Sequence, residues 1–189
     1  VAAVSERLRF DHALIAALDL AAAKAEFESL GFTVIPGGQH SGGLTENALV
    51  TFEHGNYLEL IAPTSRELLE HPPRPGPGNY LFLFDSGEGF VGYAFDTPNL
   101  DTEVERIRSN GIEVADPQAG GRQRPDGVQL AWRTAMLLNT RSPFFLTDDT
   151  SRSAKLFDGR TKARATRKPH SSSTAKSARA IGVSRGTPE

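Results

Sequence analysis

The chain has 189 residues, a formal net charge of −2 and no cysteine. That length suits one domain, or one domain with a tail. The lack of cysteine excludes disulfide staples, thiolate metal ligands and cysteine nucleophiles, and it fits a reducing compartment.

No apolar run reaches the roughly 18 residues that a membrane span needs. The first residues, VAAVSERLRFD, lack the basic start and long apolar core of a signal peptide. A soluble, cytoplasmic protein is expected. Residues 8–17, LRFDHALIAA, alternate as a strand does, with Phe10, His12 and Leu14 on one face and Asp11, Ala13 and Ile15 on the other. Asp19 is placed to cap the helix LAAAKAEFESL, because its oxygen can accept from the free N–H groups of the first turn. Leu20, Ala23, Phe27 and Leu30 recur at helical spacing and predict its buried stripe, and Gly31 ends it.

Phe32–Ile35 reads as a strand, PGGQHSGGLTE as a loop, Asn47–Phe52 as a strand, His54-Gly55-Asn56 as a hairpin turn and Asn56–Ala62 as the fourth strand. Tyr57, Glu59 and Ile61 share one face of that last strand. Residues 63–89 connect this unit to the next. PTSRELLEH is a candidate short helix, PPRPGPGN is irregular, and YLFLF is open between strand and helix.

The pattern then repeats. Val91–Phe95 reads as a strand, LDTEVERIRSN as a helix with Leu100, Val104 and Ile107 at core spacing, and Ile112–Val114 as a strand. Asp126-Gly127 marks a hairpin turn before the long strand Val128–Leu138, and Pro143–Thr147 is the last strand. LGFTV and NGIEV stand 80 residues apart. Two βαβββ modules, about residues 8–62 and 90–148, are therefore expected within a domain over 1–150.

The charge breaks at that boundary. Residues 1–150 hold 11 Lys+Arg against 21 Asp+Glu, net −10; residues 151–189 hold 10 against 2, net +8. Residues 151–189 are rich in Ser, Thr, Ala, Lys and Arg, and a disordered basic tail is expected. They lack interleaved aromatics for base stacking, so a spacer is preferred there over a nucleic-acid contact.

Several motifs together carry a resemblance. They are Phe10-Asp11-His12, Asp19-Leu20, Leu30-Gly31-Phe32-Thr33-Val34, Gly37-Gly38-Gln39-His40, Leu44-Thr45-Glu46-Asn47, Tyr57-Leu58-Glu59-Leu60-Ile61, Arg124-Pro125-Asp126-Gly127 and Pro143-Phe144-Phe145. Over about residues 8–150 the chain resembles the glyoxalase-like branch of the vicinal oxygen chelate (glyoxalase, bleomycin-resistance, dioxygenase) superfamily. The resemblance implies an α+β fold in which two tandem modules curl one mixed sheet round a cavity. Modules in this superfamily pair within a chain or across a homodimer, and both stay open here.

In metal-dependent members each module can offer a His on its first strand and a Glu on its last, places that His12 and Glu59 match. In the second module the place of His12 falls on Gly92 and that of Glu59 near Phe145, with Thr147 two residues later. A catalytic divalent site normally needs three or more such ligands. A metal-free cavity is therefore the preferred expectation, and the cofactor stays unknown. His40, on the expected loop, is a candidate third ligand.

His12 can act as ligand, general base or satisfied buried histidine. Glu59 is rarely explained as unpaired filler in a buried strand. The two are the candidate catalytic pair. His40, Asn47, Tyr57 and Trp132 are candidate substrate-binding residues, since aromatic walls with a few polar groups are the usual make-up of a small-molecule site. Core packing is the alternative for Trp132, and solvation is expected for Arg133. The fold hosts many reactions. The expected function is binding or transforming a small polar organic molecule. A metal-dependent lyase, isomerase or dioxygenase, a non-catalytic sequestering protein, and a structural or regulatory module using the tail stand as alternatives.

Overall fold

Two helices begin 80 residues apart on the same kind of cap. In the computed structural model, which describes residues 8–74, 79–140, 142–151 and 154, α1 spans Leu20–Ser29 and α3 spans Leu100–Ser109. Asp19 accepts from the Ala22 N–H and Asn99 from the Thr102 N–H. Each cap satisfies a backbone donor that the first helical turn leaves orphaned. Around these helices lie β1 (Arg9–Ala16), β2 (Ile35–His40), β3 (Thr45–Thr51), β4 (Tyr57–Pro63), β5 (Gly89–Asp96), β6 (Gln118–Gln123), β7 (Gln129–Met136) and β8 (Phe144–Asp148). The expected short helix is α2 (Glu67–Glu70), and YLFLF becomes a 3₁₀ turn over Leu81–Phe84. The expectations for residues 151–189 lie outside the described residues, apart from Ser151 and Ala154.

The strands form one closed mixed barrel in the order β1-β4-β3-β2-β6-β7-β8-β5. Within each module the first strand runs parallel to the last, β1 to β4 and β5 to β8, and the others pair antiparallel. Two antiparallel seams join the modules. The β1–β5 seam is long, with seven residue pairs; the β2–β6 seam has two, Gln39 with Gln123 and His40 with Arg122.

Three expected elements differ. The second strand is β2, through Pro36-Gly37-Gly38-Gln39-His40, rather than Phe32–Ile35, so His40 is a strand residue and not a loop residue. Its glycines permit this. A Cβ on Gly37 would lie 1.8 Å from Asn47 Oδ1, and one on Gly38 would lie 1.9 Å from the Gln123 carbonyl. A strand glycine of this kind marks a close approach of neighbouring chain. In the second module the strand expected at Ile112–Val114 is reduced to a single bridge, Val114 with Leu137, and β6 forms further on. The predicted stripe of α1 has no buried residue, and Leu30 is 65% exposed, whereas in α3 Leu100, Val104 and Ile107 are all buried. Those three pack with Val114, Ala135 and Phe145 into one core. A second core lies inside the barrel end, where Leu14, Ala16 and Ile61 meet Leu81, Leu83 and Phe84 of the connection.

Candidate functional site

Strand β1 carries a bulge between Phe10 and His12. A bulge adds a residue to one strand and re-aims side chains next to it. Strict alternation puts Asp11 opposite His12. In the structure both are buried, Asp11 at 0% exposure, and Asp11 Oδ2 lies 2.7 Å from His12 Nδ1. The other ring nitrogen, Nε2, lies 3.3 Å from Glu59 Oε2. Glu59 extends the chain of contacts, because His40 Nε2 lies 3.2 Å from its Oε1. His40 Nδ1 in turn lies 2.8 Å from the Thr45 hydroxyl oxygen. Asn47 Nδ2 donates to Glu59 Oε1 at 2.8 Å. A buried polar row thus runs Asp11–His12–Glu59–His40–Thr45, drawn from β1, β4, β2 and β3.

The row lies along a cavity of about 60 Å³ inside the barrel, lined by His12, His40, Asn47, Tyr57, Glu59 and Trp132 among others. All six candidate site residues therefore meet at one place. Tyr57 stacks on His12 with ring centroids 4.6 Å apart, and Trp132 meets His40 edge-on at 6.1 Å. Arg133 is elsewhere: it pairs with Asp101 at 3.0 Å on the outer surface.

The sequence reading missed Asp11, Tyr80, Phe82, Arg122 and Phe144. Asp11 is hidden by the bulge. Tyr80 and Phe82 come from the connection and wall one end of the cavity, and the Tyr80 ring meets His40 edge-on at 5.2 Å. Arg122 lies on β6, 4% exposed, and its guanidinium donates to the Gly37 carbonyl. The pair of glycines before it, Gly120-Gly121, is the signal that could have found it. A Cβ on Gly120 would sit 2.4 Å from Trp132 Nε1 and one on Gly121 2.7 Å from the Leu130 carbonyl. Those glycines make room for the wall of the cavity.

Burial alone would raise the Glu59 pKa. The hydrogen bond from His40, the charges of His12 and His40, and the Asn47 amide outweigh it and hold the carboxyl well below its usual range. Burial, with the charges of Asp11 and Glu59, pushes Tyr57 well above the phenol range. Burial and Glu59 push Tyr80 up to about 12. Burial lowers Arg122, and the neighbouring groups Glu59, Tyr57 and Asp148 oppose that shift.

A divalent cation is what the superfamily resemblance raises, and these residues do not fit one. Among the described residues no group of three or more His, Cys, Asp and Glu side chains is arranged to hold a metal ion. His12 and His40 address different oxygens of Glu59, so the carboxylate stands between the rings. In the second module neither matching position holds a His or a carboxylate. Gly92 pairs with Leu14 across the seam. The β5–β8 register sets Phe144, not Phe145, at the place of Glu59, because Ala94 pairs with Phe144 as Leu14 pairs with Glu59. Phe144 faces the cavity edge-on to His12 at 5.6 Å, while Phe145 packs under α3.

Comparison with known proteins agrees with this architecture. A hypothetical protein from Staphylococcus aureus superposes with TM-score 0.66 at 21% identity, over 78% of this chain and 61% of that one. The chain thus spans about three fifths of that protein's length. Methylmalonyl-CoA epimerase from Streptomyces coelicolor, in complex with 2-nitronate-propionyl-CoA, superposes with TM-score 0.52 at 24% identity, over 75% of this chain and 95% of that one. The epimerase from Mycobacterium tuberculosis gives 0.53 at 18%, over 78% and 91%. No curated protein matches the chain in sequence. Among the described residues no helix is long and apolar enough to cross a membrane. The family described as glyoxalase-like domain matches residues 10–182, nearly the whole sequence, and with its two paired modules the chain belongs to that family, within the vicinal oxygen chelate fold.

Proposed function

We propose that this protein binds a small polar carbonyl compound in the barrel cavity and moves a proton on it, with His12 as the acid–base group and Glu59 as its partner. One observation carries the reading: the His12 ring is held between two buried carboxylates at the cavity wall. The Asp11 contact is short, 2.7 Å, and fixes the ring at Nδ1; the Glu59 contact is longer, 3.3 Å, and leaves Nε2 as the side that a ligand would engage. An imidazole so oriented can take a proton at Nε2 and return it, with both carboxylates stabilising the imidazolium.

The step balances without an oxidant. The C–H bond beside the ligand's carbonyl breaks, its proton passes to His12 Nε2, and the electron pair moves onto the carbonyl oxygen as an enolate. Return of the proton to carbon gives an epimer or isomer. His40, Asn47, Tyr57 and Trp132 bound the ligand. The epimerases among the structural neighbours are seen with acyl-CoA ligands, which supports a carbonyl compound as the class.

The test is proton NMR in D₂O with the full chain and three probes: methylglyoxal, dihydroxyacetone and methylmalonyl-CoA. Deuterium entering beside the carbonyl of any of them, lost in His12→Ala and Glu59→Gln, is the expected result. Binding of a probe with no exchange above background makes the protein a non-catalytic binder and overturns the proton-transfer reading. Exchange that persists in both variants overturns the assignment of His12 and Glu59.

A further inference from the structure

The geometry points to the Tyr80 hydroxyl as the group that meets the ligand's carbonyl oxygen and donates to it as that oxygen becomes an oxyanion. This deepens the reading just given and rests on it. The enolate step puts negative charge on oxygen, and a fixed donor aimed at that atom stabilises the charge as it forms.

Tyr80 is held at both ends. Its backbone leads into the 3₁₀ turn, where the Leu83 N–H donates to the Tyr80 carbonyl at 3.0 Å and the Leu81 N–H donates to Asn79 Oδ1 at 3.1 Å. Leu81, Leu83 and Phe84 anchor that turn in the core of the barrel end. At its far end the phenol oxygen is hydrogen-bonded to the Trp132 indole. An indole N–H can only donate, so the Tyr80 oxygen accepts this bond and its own hydrogen points elsewhere. The indole is itself fixed, because Trp132 pairs with Gly120, the glycine that makes room for its Nε1.

The surroundings keep that hydrogen on the phenol. Burial and the charge of Glu59 push Tyr80 up to about 12, so near neutrality it is a donor and not an anion. Glu59 acts on Tyr80 through charge, while the Glu59 oxygens face His12, His40 and Asn47. Those contacts turn His40 Nε2 and Asn47 Nδ2 toward the carboxylate.

Position gives the ligand a direction. Tyr80 meets His40 edge-on, and Glu59 stands between His40 and His12. Tyr80 thus marks the end of the polar row away from His12. A carbonyl compound lying along the row puts its oxygen at Tyr80 and its neighbouring C–H at His12. No bond to Tyr80 forms or breaks in the step. The proton goes to His12 Nε2, the electron pair goes to the carbonyl oxygen, and the phenol strengthens its hydrogen bond to that oxygen.

The test uses the full chain. Tyr80→Phe removes one oxygen and keeps the ring. Deuterium exchange with methylglyoxal, dihydroxyacetone or methylmalonyl-CoA is expected to slow about a hundredfold in kcat in this variant, with KM little changed, because the bond strengthens as the charge forms. A second measurement reads the donor without turnover. It is calorimetric titration in mildly alkaline buffer, with 4-nitrophenolate as a stable oxyanion and nitrobenzene as its neutral counterpart. Wild type is expected to bind 4-nitrophenolate about tenfold more tightly than Tyr80→Phe does, and the two proteins to bind nitrobenzene alike. Circular dichroism checks the fold. If Tyr80→Phe is unfolded, 3-fluorotyrosine at position 80, a stronger donor of nearly the same shape, decides; it is expected to tighten 4-nitrophenolate binding. Exchange as fast in Tyr80→Phe as in wild type would overturn the assignment. So would a 4-nitrophenolate affinity that neither change at Tyr80 moves, or failure of wild type to bind 4-nitrophenolate. Tyr80-dependent binding of 4-nitrophenolate with no exchange of any probe would keep the donor and remove the proton-transfer reading alone.

Discussion

A carboxylate persists inside a protein only where hydrogen bonds and neighbouring charges outweigh the loss of water. Glu59 meets that condition through His40, His12 and Asn47. Because its folded-state pKa lies below the unfolded value, the unfolded chain takes up this proton first as pH falls. The stability that Glu59 contributes is full above about pH 4.3, the ordinary glutamate value, and is lost as pH drops through and below it. Glu59→Gln is therefore expected to be less stable than wild type near neutrality and to lose less stability between pH 5 and pH 3, as read from urea midpoints across that range. Removal of Asp11 likewise leaves a buried group stranded. Asp11→Ala strips His12 Nδ1 of its acceptor and is expected to cost about 1–3 kcal/mol; Asp11→Asn, which keeps an oxygen there, should cost less in the same urea titration. Alternation puts Tyr57 and Glu59 on one face of their strand, and the family resemblance sets His12 beside Glu59, so that part of the site was legible in the sequence. Asp11 was not, since the register shift between Phe10 and His12 departs from strict alternation. Arg122 was not, since an arginine in sequence reads as solvated until the strands beside it are known.

Two helices with matching caps play unequal parts. Leu100 of α3 is 0% exposed and Leu30, which follows α1, is 65% exposed. Leu100→Ala is expected to cost about 2–5 kcal/mol, and Leu30→Ala no more than about 0.5 kcal/mol, in parallel denaturant titrations. Helical periodicity predicts a stripe for both, but whether a stripe is covered depends on what the sheet offers beneath it, and that is not local information. The glycine strands make the same point from the other side. Pro36-Gly37-Gly38 has no intrinsic strand tendency, so β2 was invisible as a strand. It forms because β3 and β6 approach where a side chain would collide. Gly120→Ala puts a methyl group against the indole of Trp132, the only tryptophan in the chain. The expected outcome is a shifted tryptophan emission and a loss of about 1–3 kcal/mol from overpacking. Unchanged emission would mean that β6 moves to absorb the methyl.

For the molecule as a whole, the duplicated βαβββ pattern was readable from the spacing of the helix-ending glycines and apolar strands. The closure of the barrel was not, because the β2–β6 seam uses residues that read as loop. The two modules have diverged at the site. The first carries the polar row, and the second supplies Phe144, Trp132 and Arg122 as wall and charge. That asymmetry bears on metal content. Elemental analysis of the purified full chain is expected to show well under one equivalent of Fe, Mn, Ni or Zn, with wild type and Glu59→Ala alike. One equivalent present in wild type and absent from the variant would require the three side chains to rearrange round a common point.

Both seams close within one chain, and the cavity draws on both modules of that chain. Among the described residues the eight strands close on one another. Diluting the protein is therefore expected to leave the cavity assembled, as read from ligand affinity measured across a range of protein concentrations; a cavity built across subunits would instead lose occupancy as the partners separate.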